Sequence, residues 1–130
     1  MIFVDSSVWI DYLRDLETPQ TERLDAILGN QKVVIGDLVV AEVLQGCRDP
    51  RIFNETRQLL ERADFVVVGG YDLAVEAARN YIALRSKGIT VRKTIYTLIA
   101  TRCILSGFEL LHNDRDFLPF EEHLGLKCVQ

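Results

Sequence analysis

The stretch MIFVD, residues 1–5, decides the fold, because four residues typical of a buried strand run directly into an aspartate. The same pattern returns near the other end of the chain, where ELLHND places Asp114 just after a second short apolar run. In an open parallel sheet, residues past the carboxyl ends of the strands meet in one crevice. We therefore expect Asp5 and Asp114 to lie together, with Glu42 and Asp116 beside them.

Four carboxylates gathered in one crevice would repel one another, and proteins usually relieve such repulsion with a hard divalent cation that prefers oxygen ligands. The sequence therefore predicts a site for Mg²⁺ or Mn²⁺. Most aspartates are solvated turn or cap residues, and we keep that interpretation for acids such as Asp25. Asp5 differs because it ends a buried strand, and Glu42 differs because it lies inside the apolar run LVVAEVL.

Composition limits the class of protein. The 130 residues suit one domain, residues 1–130, and the net charge of -4 excludes a broad basic surface for nucleic acid. An RNA substrate would need local basic patches and a bound metal. The three scattered cysteines indicate reduced thiols rather than a disulfide framework. We expect a soluble cytoplasmic protein, since no leader or membrane-spanning run is evident.

Strand-like runs alternate with helical patterns, which predicts an α/β fold with parallel pairing and helices on both faces of the sheet. The expected strands are residues 1–4, 33–35, 65–68, 109–111 and 126–129, the last on an edge. The expected helices are residues 7–16, 21–28, 37–45, 51–62, 71–87 and 90–107. Asp37 and Thr90 are expected to cap their helices, as is Ser6 or Ser7. The run 65–68 indicates a strand covered on both faces, and Trp9, Ile10 and Leu13 form the expected buried stripe of the first helix.

Four segments of the chain together resemble a PIN-domain ribonuclease, in particular a VapC-type toxin of a bacterial toxin-antitoxin pair. The segments, in order, are MIFVDSSVWIDYL, the glutamate of VVAEVL, VRKTIYTLIA and LLHNDRDF. The resemblance implies a three-layer α/β/α sandwich with a central parallel sheet and an endoribonuclease activity dependent on Mg²⁺ or Mn²⁺. It also implies tRNA or ribosomal RNA as substrate, a VapB-type antitoxin that blocks the site, and a homodimer.

The resemblance also assigns roles to individual positions. The residues that match the catalytic acids of the family are Asp5, Glu42, Asp114 and Asp116, with Asp5, Asp114 and Asp116 as the metal ligands. Ser6 matches the small hydroxyl residue that follows the first acid. Arg92 and Asn113 are expected to support the site or to bind RNA.

One position departs from the family pattern. An acid is expected where the segment TIYTLIA has Tyr96. A phenol with a pKa of about 10 is neutral at pH 7 and is a poor ligand for Mg²⁺. Its ring is also larger than a carboxylate and can protrude into the metal pocket. We therefore expect a weakened or inactive nuclease.

Two other functions stay open from the sequence. The first is a non-catalytic PIN module that binds an antitoxin or RNA, which a titration with Mn²⁺ would distinguish from the nuclease. The second is a phosphoacceptor or phosphatase, which also uses an acidic magnesium crevice. The second is disfavoured because Ser7 stands where a second aspartate would follow the first strand, and trapping of an acyl phosphate would test it.

Overall fold

The computed structural model of the chain describes residues 1–30 and 32–129. The strands are β1 (Ile2–Val4), β2 (Val33–Gly36), β3 (Asp64–Val66), β4 (Glu109–Leu111) and β5 (Lys127–Cys128). They form a five-stranded sheet in the order β3-β2-β1-β4-β5, and every pair is parallel. The predicted parallel sheet and the edge position of the last strand are therefore confirmed.

Two groups of helices flank the sheet. The helices are α1 (Ser6–Leu13), α2 (Pro19–Ile27), α3 (Asp37–Leu44), α4 (Pro50–Leu60), α5 (Tyr71–Ser86), α6 (Thr94–Ser106) and α7 (Leu118–Leu124), with a 3₁₀ turn at Arg115–Phe117. In one group α1 packs against α2 and α3, and α3 packs against α4. In the other group α5 packs against α6 and α7. This arrangement confirms the predicted three-layer α/β/α sandwich.

The central strand β1 brings distant parts of the chain to one edge of the sheet. Its register pairs Val4 with Leu111 of β4, and the backbone amide of Asp5 donates to the Leu111 carbonyl at 3.0 Å. On its other side β1 pairs with β2, which leads directly into α3. The segments that follow β1, β2 and β4 therefore leave the sheet at neighbouring points.

The core explains why β1 is apolar without alternation. Phe3 and Val4 are fully buried, because helices cover both faces of the central strand. Gly36 at the end of β2 lies tightly against this core. A Cβ added at Gly36 would overlap Val68 Cγ2 and lie 3.0 Å from Phe3 Cζ. This position therefore admits no side chain without movement of buried neighbours.

The run 65–68 was expected to be covered on both faces, and that prediction is wrong. β3 lies at an edge of the sheet, where 64% of Phe65 and 52% of Val67 are exposed. A β-branched run occurs both in central strands and in edge strands. The sequence of the run does not distinguish the two positions, because strand order depends on distant pairing partners. Leu13, expected in the buried stripe of α1, is also 38% exposed.

Several helix boundaries differ from the prediction. Asp5 caps α1 in place of Ser6 or Ser7, and α6 begins at Thr94 rather than near Thr90. Gly36 is the N-cap of α3 in place of Asp37. Asp37 Oδ1 instead accepts from the Val68 backbone amide at 2.8 Å and so ties α3 to the segment after β3. The seven residues of α7 were not predicted, since so short a pattern with a proline in its first turn carries little helical periodicity. None of the helices in residues 1–30 and 32–129 has the length and apolar character that a bilayer crossing requires.

Candidate active site

Asp5 lies at the centre of the site and is almost completely buried, with 4% of the residue exposed. Its carboxylate Oδ2 accepts from the Ser7 backbone amide at 3.0 Å and from Ser7 Oγ at 2.7 Å. Burial raises the pKa of Asp5, while the hydrogen bonds from Ser7 act in the opposite direction. Burial disfavours the ionised form of Asp5, so that form needs hydrogen-bond donors or a cation close to its carboxylate.

Ser7 joins the two strand ends, a role that the sequence did not reveal. In addition to its bond to Asp5, Ser7 Oγ accepts from the Asn113 backbone amide at 3.1 Å. One hydroxyl thus connects the segment after β1 with the segment after β4. The available signal was a second hydroxyl in the DSS motif, which also made Ser7 a candidate helix cap.

Glu42 projects from α3 towards the same centre and is half-buried. Burial raises its pKa most, and the charge of Asp5 raises it further. The Ser6 hydroxyl and the Lys93 ammonium group act in the opposite direction. The Ser6 hydroxyl therefore contacts Glu42, whereas the Ser6 backbone amide contacts Asp5. Lys93 is a basic neighbour of Glu42.

Tyr96 lies among the acids. Its hydroxyl donates to Asp114 Oδ2 at 2.6 Å, and its ring packs edge to face on Phe117 with 5.2 Å between centroids. The bond to Asp114 raises the pKa of Tyr96 strongly, followed by burial and by the charges of Asp114, Asp116 and Asp5. The phenol is therefore neutral, and its hydrogen bond stabilises the carboxylate of Asp114.

Asp114 and Asp116 are held by a local turn. The Asp116 backbone amide donates to Asp114 Oδ1 at 3.0 Å, so Asp114 has a partner on each oxygen. Arg92 Nη2 lies 2.7 Å from Asp116 Oδ2, and this contact raises the pKa of Arg92. The guanidinium is largely exposed, so water weakens the pair. Asn113 Nδ2 donates to Asp11 Oδ2 at 3.3 Å, so its side chain binds an acid of α1.

His112 also contacts the turn that carries Asp114 and Asp116. Its Nδ1 accepts from the Asp114 backbone amide at 3.1 Å, and its ring lies 5.0 Å from Phe117. Burial lowers the pKa of His112, although the charges of Asp5, Glu121 and Asp114 act in the opposite direction. His112 is therefore neutral near pH 7 and orients the backbone of Asp114.

The acids converge without forming a compact coordination shell. Within residues 1–30 and 32–129, no three of Asp5, Glu42, Asp114 and Asp116 have carboxylate oxygens within 4.8 Å of one another. The donor set consists of carboxylates, which suits Mg²⁺ or Mn²⁺ in chemical type. One oxygen of Asp114 is bonded to Tyr96 and one of Asp116 to Arg92. A cation at this centre would compete with both contacts.

Comparisons with known proteins show which proteins this chain is similar to. The family model described as PIN domain matches residues 2–121. Ribonuclease VapC11 of Mycobacterium tuberculosis is 28% identical over 122 residues, which cover 90% of this chain and 89% of that protein. The match therefore extends over both proteins almost from end to end.

Solved structures share the fold at low sequence identity. VapBC2 from Rickettsia felis, bound to a DNA fragment from its promoter, has a TM-score of 0.75 at 16% identity and covers 99% of this chain and 98% of that chain. A toxin-antitoxin complex from Klebsiella pneumoniae has a TM-score of 0.67 at 18% identity, with 97% and 95% covered. Mycobacterium tuberculosis VapC20, a sarcin-ricin loop cleaving toxin, has a TM-score of 0.64 at 16% identity, with 91% and 93% covered.

Proposed function

Because the chain belongs to the PIN domain family, we propose that it is a VapC-type endoribonuclease toxin of a toxin-antitoxin pair, weakened by Tyr96. The observation that carries this proposal is the convergence of Glu42, which lies within α3, with Asp5 and Asp114, which follow β1 and β4. The similarity to ribonuclease VapC11 supports RNA as the substrate class. The target that we propose for this chain is structured RNA, such as tRNA or ribosomal RNA.

The cofactor of this activity is Mg²⁺ or Mn²⁺, held by Asp5, Asp114 and Asp116 with Glu42 beside them. When bound, such an ion supplies an activated water and stabilises charge on the scissile phosphate. Ser7 orients Asp5 through the 2.7 Å bond from its Oγ, and His112 orients the Asp114 turn. Cleavage yields a 5′-phosphate and a 3′-hydroxyl, as is implied for the family.

Arg92 and Lys93 provide the local basic patch that an acidic protein needs to bind RNA. Both are exposed, lie just before α6 and neighbour acids of the site. Arg92 is already bonded to Asp116 and Lys93 acts on Glu42, so their charges reach the centre. A guanidinium that moves from Asp116 to an RNA phosphate would free an oxygen of Asp116 as substrate enters.

Tyr96 weakens the enzyme in two ways. It lacks the carboxylate that the family pattern has at this position, and its hydroxyl bonds to an oxygen of Asp114 that a metal ion would use. The first effect removes a ligand. The second stabilises the metal-free arrangement, because Asp114 is satisfied without a cation.

Two substitutions at Tyr96 separate these effects. Tyr96→Phe releases Asp114 but adds no carboxylate, whereas Tyr96→Asp does both. We expect Tyr96→Asp to raise Mg²⁺-dependent cleavage of tRNA and ribosomal RNA by about 10²-fold or more, the scale of one charge-stabilising group in an active site. Tyr96→Phe is expected to stay within about tenfold of the starting chain. Cleavage is measured by mapping RNA ends with Mg²⁺, with Mn²⁺ and with EDTA.

Two controls make this experiment specific. Tyr71→Phe alters an exposed tyrosine at the start of α5, outside the acidic centre, and is expected to change nothing. Asp5→Asn in the Tyr96→Asp background is expected to abolish the gained activity. Equal cleavage by the starting chain and by Tyr96→Asp, or cleavage that persists in EDTA, would contradict the proposal.

A non-catalytic PIN module is the second candidate function. It is favoured by the Tyr96–Asp114 bond and by the absence, among the described residues, of three site acids close enough to share an ion. Such a module would bind the antitoxin tightly but Mn²⁺ weakly, and Tyr96→Asp would restore metal affinity without any RNA cleavage. Calorimetric titration with Mn²⁺, run beside the cleavage assay, distinguishes the two functions.

The partner that we propose is a VapB-type antitoxin, supported by the shared fold with a toxin-antitoxin complex. A groove of about 260 Å³ between α1, α3 and α4 lies beside Glu42 and includes Leu13 and Ile52. These two apolar side chains are 38% and 40% exposed. An antitoxin segment with an apolar face would cover them and direct a basic side chain to Glu42.

Substitution in this groove tests the proposed partner surface. Ile52→Asp is expected to weaken binding of the cognate antitoxin about tenfold or more, because a buried unpaired carboxylate is unfavourable at an interface. Leu105→Asp, at an exposed position near the end of α6, is the matched control. Unchanged antitoxin affinity of Ile52→Asp would place the partner on another face.

A further inference from the structure

Three chemically different side chains meet beside the acidic centre. His112 follows β4, Glu121 lies on α7 and Cys128 lies on β5. One ligand atom from each lies within 4.8 Å of the other two. The proposed nuclease chemistry uses neither Glu121 nor Cys128, and His112 serves it only by holding a backbone amide.

The backbone places these side chains together. Parallel pairing sets Leu110 of β4 beside Cys128 of β5, and the Val129 amide donates to the Leu110 carbonyl at 3.0 Å. His112 directly follows the last residue of β4, so it lies at the strand end beside Cys128. The Leu126 amide donates to the Phe120 carbonyl at 3.2 Å and fixes the end of α7 against β5.

An imidazole, a carboxylate and a thiol form a donor set that differs from the carboxylates of the acidic centre. Zn²⁺ takes nitrogen, sulfur and oxygen ligands, and three protein ligands with one water make an open tetrahedral site. Mg²⁺ strongly prefers oxygen. From this geometry we propose that His112, Glu121 and Cys128 bind Zn²⁺ or a similar transition-metal ion, in a site separate from the acidic centre.

The distances allow such a site after a small movement. Ligand atoms around a tetrahedral Zn²⁺ lie about 3.3–3.8 Å apart, so the group must contract by about 1 Å from its present outer limit. Glu121 has a flexible side chain on a surface helix and can make this movement. Cys128 lies on β5 and His112 directly follows β4, so their backbones are held by the sheet.

Binding rearranges protons in a defined way. The Cys128 thiol loses its proton to solvent and binds as the thiolate. His112 Nδ1 now accepts from the Asp114 amide, so Nε2 is the nitrogen left for the ion. A neutral imidazole bound through Nε2 carries its proton on Nδ1, where it faces the Asp114 N–H. The bond to Asp114 must then break, so an ion at this site would disturb the turn that carries two of the nuclease acids.

Cobalt is the probe for this site, because Co²⁺ replaces Zn²⁺ and shows an ultraviolet charge-transfer band when a thiolate binds it. The full chain, without an affinity tag and stripped of metals, is titrated with Co²⁺. The expected result is a band that saturates at one equivalent and disappears on addition of Zn²⁺. Cys128→Ser is expected to remove the band, and Glu121→Gln is expected to weaken Co²⁺ binding about tenfold or more, whereas Cys47→Ser retains both.

The readout is absorbance rather than RNA cleavage, so this inference and the nuclease proposal succeed or fail separately. Absence of the band in the starting chain, or a band that survives Cys128→Ser, overturns the inference. If circular dichroism shows that Cys128→Ser is unfolded, Glu121→Gln decides the matter, and unchanged affinity overturns the proposal. A shift of the Asp114 amide resonance on addition of Zn²⁺ would support the predicted release from His112.

Discussion

Tyr96 shows how a group of acids can be stable without a cation. Asp114 accepts from the Tyr96 hydroxyl, Asp116 pairs with Arg92, and Asp5 accepts twice from Ser7. Each carboxylate thus has its own donor. A metal ion would have to displace the first two contacts, which is why the residue at position 96 controls both metal affinity and the proposed activity.

Asp5 is expected to make stability depend on pH. Burial raises its pKa above the ordinary value of 3.8, so the folded state binds more protons than the unfolded chain between the two pKa values. The free energy of unfolding therefore falls as the pH rises from the pKa of Asp5 in the unfolded chain to its higher pKa in the folded protein. In EDTA, Asp5→Asn is expected to raise the melting temperature at pH 7, and its advantage should shrink as the pH is lowered.

Thermal unfolding of both chains at several pH values measures this effect. Glu17→Gln, at an exposed position, is the control and is expected to change little. A melting temperature of Asp5→Asn below that of the starting chain at pH 7, without metal, would contradict the prediction.

Ser7 is the residue whose hydroxyl joins the two strand ends. Ser7→Ala removes the bond to Asp5 and leaves the Asn113 amide without its acceptor. We expect a loss of about 1–2 kcal/mol in the free energy of unfolding, the scale for a part-buried donor without a partner. Urea denaturation measures it, with Ser86→Ala as the control because the Ser86 hydroxyl bonds only within an exposed helix end. A loss no larger than in the control would show that Ser7 does not bridge the strands.

At the scale of elements, the strand ends matter more than the strands themselves. β1, β2 and β4 are three or four residues long, and each delivers the next segment to the same edge. Their positions depend on close packing, and Gly36 is the glycine with the least room for an added Cβ. The helix that carries Glu42 begins directly after this glycine.

Gly36→Ala tests that packing. The added methyl group would meet Val68 and the Phe3 ring, both fully buried, and overpacking of this kind is expected to lower the free energy of unfolding by about 1–3 kcal/mol. Gly29→Ala is the matched control, since nothing lies within 4 Å of a Cβ there. Chemical denaturation of both variants measures the difference. If Val68→Ala fails to recover part of the loss in the double variant, the clash is not its cause.

At the scale of the whole molecule, the homodimer and the cytoplasmic location stay predictions. A largely apolar groove of about 560 Å³ lies between α5 and α6, and Ile82 on its rim is 52% exposed. We propose this face as the dimer surface. Ile82→Glu is expected to shift the chain from dimer to monomer in light scattering, because an unpaired charge would be buried in the interface. Leu105→Glu is the control, and a dimer that persists in Ile82→Glu would exclude this face.

The sequence predicted the class of fold and most of its elements correctly. Apolar runs that end in Asp5 and near Asp114 indicated buried parallel strands, and the strand and helix alternation indicated the sandwich. These inferences succeeded because strand and helix periodicity is a local property that neighbouring residues carry. The strand-end positions also indicated the acidic set, and the family resemblance added the roles of its members and the unusual position of Tyr96.

The tertiary structure decided what depends on distant partners. Strand order and crossover geometry place β3 at an edge of the sheet. They also bring Tyr96 to Asp114 and Arg92 to Asp116. The cluster of His112, Glu121 and Cys128 has the same origin. No local pattern encodes these contacts, because they join side chains from separate elements. How far the ionised form of each acid is stabilised therefore depends on which donors the folded sheet brings within hydrogen-bonding distance.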